Sequence, residues 1–202
     1  MLTIIKLRDL FSDLSSRGMA QVFADWESLL GIQAKSDADA IRIAGSVDEV
    51  AGLVERPHTV VETQIQRGRQ DLGPIYFVFP NSFVLELIAE VLMISDGAKQ
   101  ARAAVRLSET DAGTFREMAN LLCGSWNQVF EDLDRDLRMS QSFGDLSVRP
   151  GEPSAHVLAD VASEGRLAYV PLDVEVNGAK YEALFAVPFE VAVGVAEEFH
   201  AA

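Results

Sequence analysis

The chain has 202 residues, of which 49% are hydrophobic and 24% are charged, and its formal net charge is −14. This length fits one sizeable domain or two small ones, and the composition excludes disorder as the main state. The strongly negative charge and the lack of any Lys/Arg run argue against binding to a nucleic-acid backbone.

Cysteine and histidine usage gives no sign of a covalent or metal-bound framework. The single cysteine, Cys123, excludes an internal disulfide and fits a reducing compartment. His58, His156 and His200 lack the spacing of metal ligands. No apolar run approaches the ~18 residues of a membrane-spanning helix, and the N-terminus lacks a signal pattern. We therefore expect a cytoplasmic protein with no metal site and no membrane insertion.

The first half of the chain begins with a long amphipathic helix, because apolar residues recur at helical spacing over Lys6–Leu30. Two strands are predicted after this helix, at Thr59–Gln66 and Ile75–Phe79, and the turn between them is expected to contain Gly68 and Gly73-Pro74. The elements predicted after the first helix are an extended run at Ile41–Ala44, a short helix at Val47–Val54, strands at Thr59–Gln66 and Ile75–Phe79, and a helix at Phe83–Ile94.

The second half repeats this order. Its long helix is predicted over Thr110–Leu133, where Ser108 and Asp111 resemble a capping box. Asn177-Gly178 is the strongest hairpin signal in the chain. The elements predicted after the long helix are an extended run at Phe143–Val148, a short helix at Ala155–Val161, strands at Leu167–Val176 and Ala179–Val187, and a helix at Phe189–Phe199.

The shared order indicates two structural repeats, at about 5–97 and 107–199, within a single domain that spans residues 1–202. Each repeat has too little core to stand alone, so we expect the two to be intertwined. The predicted fold class is α+β, with the two long helices packed on a mixed or antiparallel β-sheet. Coincidence is the alternative explanation of the shared order.

One group of residues on the second long helix combines a carboxylate, an amide and a glycine. Glu117, Asn120 and Gly124 lie at offsets of three and seven, which places them on one side of a helix. A glycine within a helix costs roughly 1 kcal/mol relative to alanine. A bare position beside Glu and Asn suits the close approach of another protein. The alternative is a solvated helix face with one stray glycine.

The repeated order, the long helices and the segment FREMANLLCG (115–124) resemble the CheC/CheX/FliY phosphatase family of bacterial chemotaxis. The resemblance implies a pseudo-two-fold α+β fold whose long helices dock on a phosphorylated CheY-like receiver and speed loss of its aspartyl phosphate. It implies that Glu117 contacts a receiver lysine and that Asn120 orients the attacking water. It implies no cofactor of the chain's own, with Mg²⁺ expected on the receiver.

Two departures from the family pattern stand beside this match. Gly113 lies where the family has Asp or Ser, and Pro150 comes later than the proline of the pattern. Around the catalytic pair, we expect Gly113, Gly124 and Asn127 to form the surface that docks the partner.

The first long helix offers a second copy of the motif. Aligning the two helices places Asp13, Ser16 and Ala20 opposite Glu117, Asn120 and Gly124. Asp is shorter than Glu, and Ser lacks the paired donor and acceptor of an amide. We therefore interpret Asp13 and Ser16 as a degenerate second site, which in motif count resembles CheX more than CheC.

Two functions follow from the resemblance. The first is a protein aspartyl-phosphate phosphatase, a hydrolase that acts on a CheY-like response regulator in chemotaxis or two-component signalling. The second is a non-catalytic module of the same fold that binds receivers or flagellar switch proteins, as in FliM. The resemblance also allows a homodimer, because members of the family occur as monomers and as dimers.

Overall fold

The computed structural model describes residues 4–45, 49, 58–94, 107–133, 136–140, 149–150 and 166–201. Its helices are α1 (Ile4–Leu30), α2 (Asn81–Val91), α3 (Glu109–Leu133) and α4 (Phe189–Ala201). Its strands are β1 (Ala34–Ala38), β2 (Arg42–Ala44), β3 (His58–Arg67), β4 (Gln70–Pro80), β5 (Leu137–Ser140), β6 (Arg149–Pro150), β7 (Leu167–Val176) and β8 (Ala179–Pro188). No helix in these ranges is long and apolar enough to cross a membrane.

The described strands form one sheet in the order β1-β7-β8-β4-β3-β5, with β2 beside β7 and β6 beside β3. All of the pairings are antiparallel. The two halves of this order are equivalent. On one side an outer strand, β1, is followed by the hairpin β7-β8, and on the other side an outer strand, β5, is followed by the hairpin β3-β4. Each half of the chain lends its outer strand to the hairpin of the other half. The α+β class with an antiparallel sheet and two long helices is therefore confirmed.

The core lies between one face of this sheet and the helices. Ile75, Phe77 and Phe79 of β4 face it, together with buried residues of α1, α2 and α3. The residues between them, Tyr76 and Val78, belong to a smaller buried cluster on the opposite face, as the alternation of side chains along a strand requires. The exposed sides of α1 and α3 are thus turned away from the sheet.

Several predicted boundaries hold and several do not. Asn177 and Gly178 have φ values of 50° and 84°, as a two-residue hairpin turn with positive φ at both positions needs. Gly73-Pro74 lies inside β4 and not in a turn, because a β-bulge opposite Ile65 and Gln66 accommodates the φ of 124° at Gly73.

Other differences concern the ends of elements and three short strands. The helix predicted over Phe83–Ile94 is α2, which ends at Val91 because Met93 takes a left-handed φ of 52°. The sequence does not predict strands β1, β5 and β6. The run at Phe143–Val148 and the short helix at Ala155–Val161 lie outside the described residues, as does the helix at Val47–Val54 apart from Glu49.

Candidate functional site

A reciprocal cap fixes the start of α3. Ser108 N–H donates to Asp111 Oδ2 at 3.1 Å, and Asp111 N–H donates to Ser108 Oγ at 3.1 Å. The two side chains are also hydrogen-bonded, at 2.7 Å. This is the predicted capping box, with Asp in the place of the usual Glu or Gln. It satisfies backbone donors that the first turn of a helix leaves unpaired.

The apolar side of α3 fixes its rotation against the sheet. Trp126 is fully buried, with its ring centroid 5.0 Å from that of Phe185 and 5.2 Å from that of Phe77. Phe115 and Leu122 lie on the same side and are also buried. The opposite side of α3 is therefore its exposed face.

Four of the singled-out residues share that exposed face. At 100° per residue, Gly113, Glu117, Asn120 and Gly124 fall within an arc of about 60°. Glu117 and Gly124 are exposed, whereas Gly113 and Asn120 are half-buried. A Cβ atom added at either glycine would meet no atom within 4 Å. We call these four residues the α3 face. Its glycines are not imposed by packing, and they leave bare backbone on both sides of the carboxylate and the amide.

The burial of α1 supports its alignment with α3. Buried residues of α1 coincide with buried residues of α3 in this alignment, for example Leu7 with Asp111 and Trp26 with Phe130. The aligned positions Asp13, Ser16 and Ala20 are exposed, as their α3 counterparts Glu117 and Gly124 are. The same alignment sets Asp9, an exposed acidic residue, against Gly113 of α3.

The two aligned carboxylates differ in their surroundings. Arg17 lies 3.6 Å from the Asp13 carboxylate and 3.2 Å from that of Asp132, near the end of α3. On α3 the position of Arg17 is taken by Leu121. Within the described ranges, no hydrogen bond or ion pair engages the side chain of Glu117. Of the two carboxylates, Glu117 is thus the one available to a partner.

Asn127 has a role inside the fold. Its Nδ2 donates to the carbonyl oxygen of Met139 at 3.1 Å, and its Oδ1 accepts from the Met139 N–H at 2.5 Å. The side chain thereby holds β5 against α3. Although the sequence predicts Asn127 as part of the docking surface, both of its polar ends are occupied in this way, and the docking surface proposed below omits it.

Cys123 is buried and is placed for packing. Burial raises the pKa of its thiol from 9.0 to about 11, against a smaller opposing effect from its hydrogen bond with Thr63. A thiol this far from ionisation is not a nucleophile at neutral pH. Among the described residues, no group of three or more His, Cys, Asp or Glu side chains could hold a metal ion.

Two contacts between α1 and α3 were not predicted. Gly18 lies against the indole ring of Trp126, so closely that an added Cβ would overlap the ring. Ser125 Oγ donates to Asp25 Oδ2 at 2.6 Å. Each contact joins residues about a hundred positions apart, and no local pattern in the sequence reports such a pairing.

Comparisons with known proteins agree with this fold. No family model and no curated protein sequence matches the chain. Among solved structures, FliY of Thermotoga maritima matches with a TM-score of 0.71 at 15% identity, over 100% of this chain and 98% of that one. The FliM middle domain of H. pylori matches with a TM-score of 0.70 at 12% identity, over 97% of this chain and 99% of that one.

These likenesses establish the fold. The chain has the CheC-like fold that FliY and FliM middle domains share. FliM of H. pylori is also known in a solved complex with FliG. CheX of Vibrio vulnificus matches with a lower TM-score of 0.48 at 13% identity, over 86% of this chain and 97% of that one.

Proposed function

We propose that this chain docks the phosphorylated receiver domain of a CheY-like response regulator on the α3 face and accelerates hydrolysis of its aspartyl phosphate. The proposal rests on the placement of Glu117 and Asn120 side by side on α3. Glu117 is exposed and has no ion-pair partner among the described residues, and an added Cβ at either flanking glycine would meet no atom within 4 Å. The glycines let a second protein reach the helix backbone, and the two side chains then lie at the centre of the contact.

Glu117 supplies the anchor. The resemblance to the chemotaxis phosphatases assigns it a contact with a receiver lysine, and such charge-assisted pairs are about twice as strong as neutral hydrogen bonds. Asn120 lies one turn further along α3, about 4.5 Å along the helix axis. Anchoring by Glu117 therefore sets where the amide of Asn120 falls relative to the phosphoryl group.

Asn120 positions the attacking water. The water oxygen forms a bond to phosphorus, the bond between phosphorus and the aspartyl oxygen breaks, and the electron pair leaves with the carboxylate. The products are inorganic phosphate, the free aspartate of the receiver and one proton released to solvent. An amide suits this task because it accepts from the water without titrating, and phosphoryl transfer depends mainly on positioning and charge. Mg²⁺ comes with the receiver.

A non-catalytic binding module is the second candidate, and Gly113 favours it. The family places an acidic or hydroxyl side chain at this position, and here α3 has none. The fold is equally that of FliM middle domains, one of which is solved with FliG. A module of this kind would bind a receiver or a switch protein through the same α3 face and leave the phosphate intact.

Phosphate release separates the two candidates. A purified CheY-like receiver is phosphorylated with a small acyl-phosphate donor, and its dephosphorylation is followed alone, with the chain, and with the Asn120→Ala variant. Faster release with the wild type than with the variant supports the phosphatase. Release at the receiver's own rate in all three, together with intact binding, supports the module.

A further inference from the structure

A polar link joins α1 to α3 beside the α3 face. Ser125 is 2% exposed, and its Oγ donates to Asp25 Oδ2 at 2.6 Å. The other carboxylate oxygen of Asp25 accepts from Gln21 Nε2 at 2.9 Å. Gln21 and Asp25 are both on α1, and both are half-buried. The link therefore consists of a carboxylate that α1 holds in place and a buried hydroxyl of α3, a charge-assisted hydrogen bond of the stronger kind.

The pseudo-two-fold arrangement provides an internal control for this link. The alignment of the two helices matches Ser125 with Gln21 and Asp25 with Val129. In the equivalent pair, Val129 of α3 takes the place of Asp25 and Gln21 of α1 takes the place of Ser125. This pair contains no carboxylate. The fold tolerates an apolar residue at the equivalent place, so the link is not a requirement of helix packing. Its carboxylate is on α1 and its hydroxyl is on α3, the helix that carries Glu117 and Asn120.

We propose that Asp25, held by Gln21, is a positioning residue that fixes the turn of α3 following Asn120 and thereby the placement of Asn120 relative to Glu117. The inference rests on the proposed phosphatase function. Ser125 follows Asn120 by a little more than one turn, and its hydroxyl also lies 2.9 Å from the carbonyl oxygen of Leu121, the residue after Asn120. Trp126, the next residue, is seated against Gly18 of α1. Consecutive residues of α3 thus fix it against α1, one by a hydrogen bond and one by shape.

The size of the effect follows from helix geometry. A side-chain end lies about 6 Å from the helix axis, so a local twist of about 10° between Glu117 and Asn120 displaces the Asn120 amide by about 1 Å relative to Glu117. A displacement of 1 Å in a reacting group can cost on the order of 100-fold in rate. Docking depends on the exposure and charge of Glu117, which precedes Ser125 by about two turns and is therefore less affected by a change in the turn that follows Asn120. Loss of the link should therefore lower kcat and leave KM nearly unchanged.

The chain offers a well-matched pair of variants. Asp25→Val copies the residue at the equivalent position of α3 and removes the acceptor. It does not orphan the Ser125 hydroxyl, which can donate to the Leu121 carbonyl instead, a bond that tends to bend a helix. Glu27→Val removes the same charge and adds the same side chain two residues further along α1, where Glu27 is exposed. Asp25→Asn keeps an oxygen acceptor for Ser125.

The test is dephosphorylation of a CheY-like receiver over a range of receiver concentrations, with thermal unfolding of each variant as a check on folding. Asp25→Val should lower kcat at least tenfold with KM changed less than twofold. Glu27→Val should match the wild type, and Asp25→Asn should recover most of the rate. Equal kcat for Asp25→Val and Glu27→Val, with Asn120→Ala strongly impaired, would overturn the positioning role alone. An unimpaired Asn120→Ala would instead reject the phosphatase proposal.

Discussion

Asp13 and Glu117 occupy equivalent positions on the exposed sides of α1 and α3, and their carboxylates differ in whether they are already paired. Asp13 lies 3.6 Å from the Arg17 guanidinium, and the α3 counterpart of Arg17 is Leu121. No ion pair engages Glu117 among the residues that the structure describes. A receiver lysine that approached α1 would meet an arginine beside a short carboxylate, whereas on α3 it would meet an unpaired Glu.

The first prediction concerns this pair of carboxylates. Glu117→Ala should weaken binding of the phosphorylated receiver about tenfold or more, because it removes one partner of a charge-assisted contact. Asp13→Ala should leave the affinity within twofold, since its exposed pair with Arg17 is worth little. Titration calorimetry with the receiver locked in its phosphorylated form by beryllofluoride measures both. Equal losses from the two substitutions would contradict the assignment of docking to α3.

The bare backbone at Gly124 gives a second prediction. Gly124→Leu should abolish docking without unfolding the chain, because an added Cβ meets no atom within 4 Å and the longer side chain fills the space that a partner needs. Ala20→Leu places the same side chain on the equivalent exposed position of α1 and should leave affinity unchanged. Pull-down and calorimetry with the receiver report the difference. Normal binding by Gly124→Leu would show that the partner contacts another surface.

A third prediction contrasts two helical glycines by their stability. Gly18→Ala should lower the free energy of unfolding by about 1–3 kcal/mol, because the added methyl group overlaps the ring of Trp126 in the core. Gly124→Ala should raise it by about 0.5–1 kcal/mol, since that site is open and alanine favours a helix. Urea denaturation of the two variants gives both values. A stabilised Gly18→Ala would mean that α1 and α3 are less closely packed than described.

The raised pKa of Cys123 gives a pH-dependent prediction. The native thiol keeps its proton up to a pKa of about 11, whereas the unfolded thiol ionises near 9. Ionisation thus favours the unfolded state, and the contribution of Cys123 to stability is full below pH 9 and is lost as the pH rises toward 11. The two-unit difference corresponds to roughly 2–3 kcal/mol. Cys123→Ala should show a shallower fall in the free energy of unfolding across this window, and identical slopes would contradict the burial of the thiol.

Local signals in the sequence were sufficient for the long helices, the hairpins and the α3 face. Helical spacing places Phe115, Met118 and Leu122 on the core side, and Ser108 with Asp111 caps the helix as predicted. Asn177-Gly178 forms its hairpin because positive φ at both positions suits these residues. In each case the residues that decide the structure are close together in the chain.

Long-range pairing decides what the sequence did not reveal. Strand β1, with the sequence AKSDA, contains no β-branched or aromatic residue, and it is extended because it pairs with β7. The closeness of Gly18 to Trp126 depends on the docking of α1 on α3, as does the Asp25–Ser125 bond. The sequence likewise does not show that β5 returns to the side chain of Asn127, which bonds the backbone of Met139.

The role of Asn120 in hydrolysis is tested most directly by comparing this residue with its α1 counterpart, Ser16. Single-turnover release of phosphate from a phosphorylated CheY-like receiver is measured with saturating wild type, Asn120→Ala and Ser16→Ala. We expect a loss on the order of 100-fold for Asn120→Ala, because the attacking water loses its orienting amide. We expect a wild-type rate for Ser16→Ala. Equal rates for all three proteins would contradict a catalytic role for the α3 face.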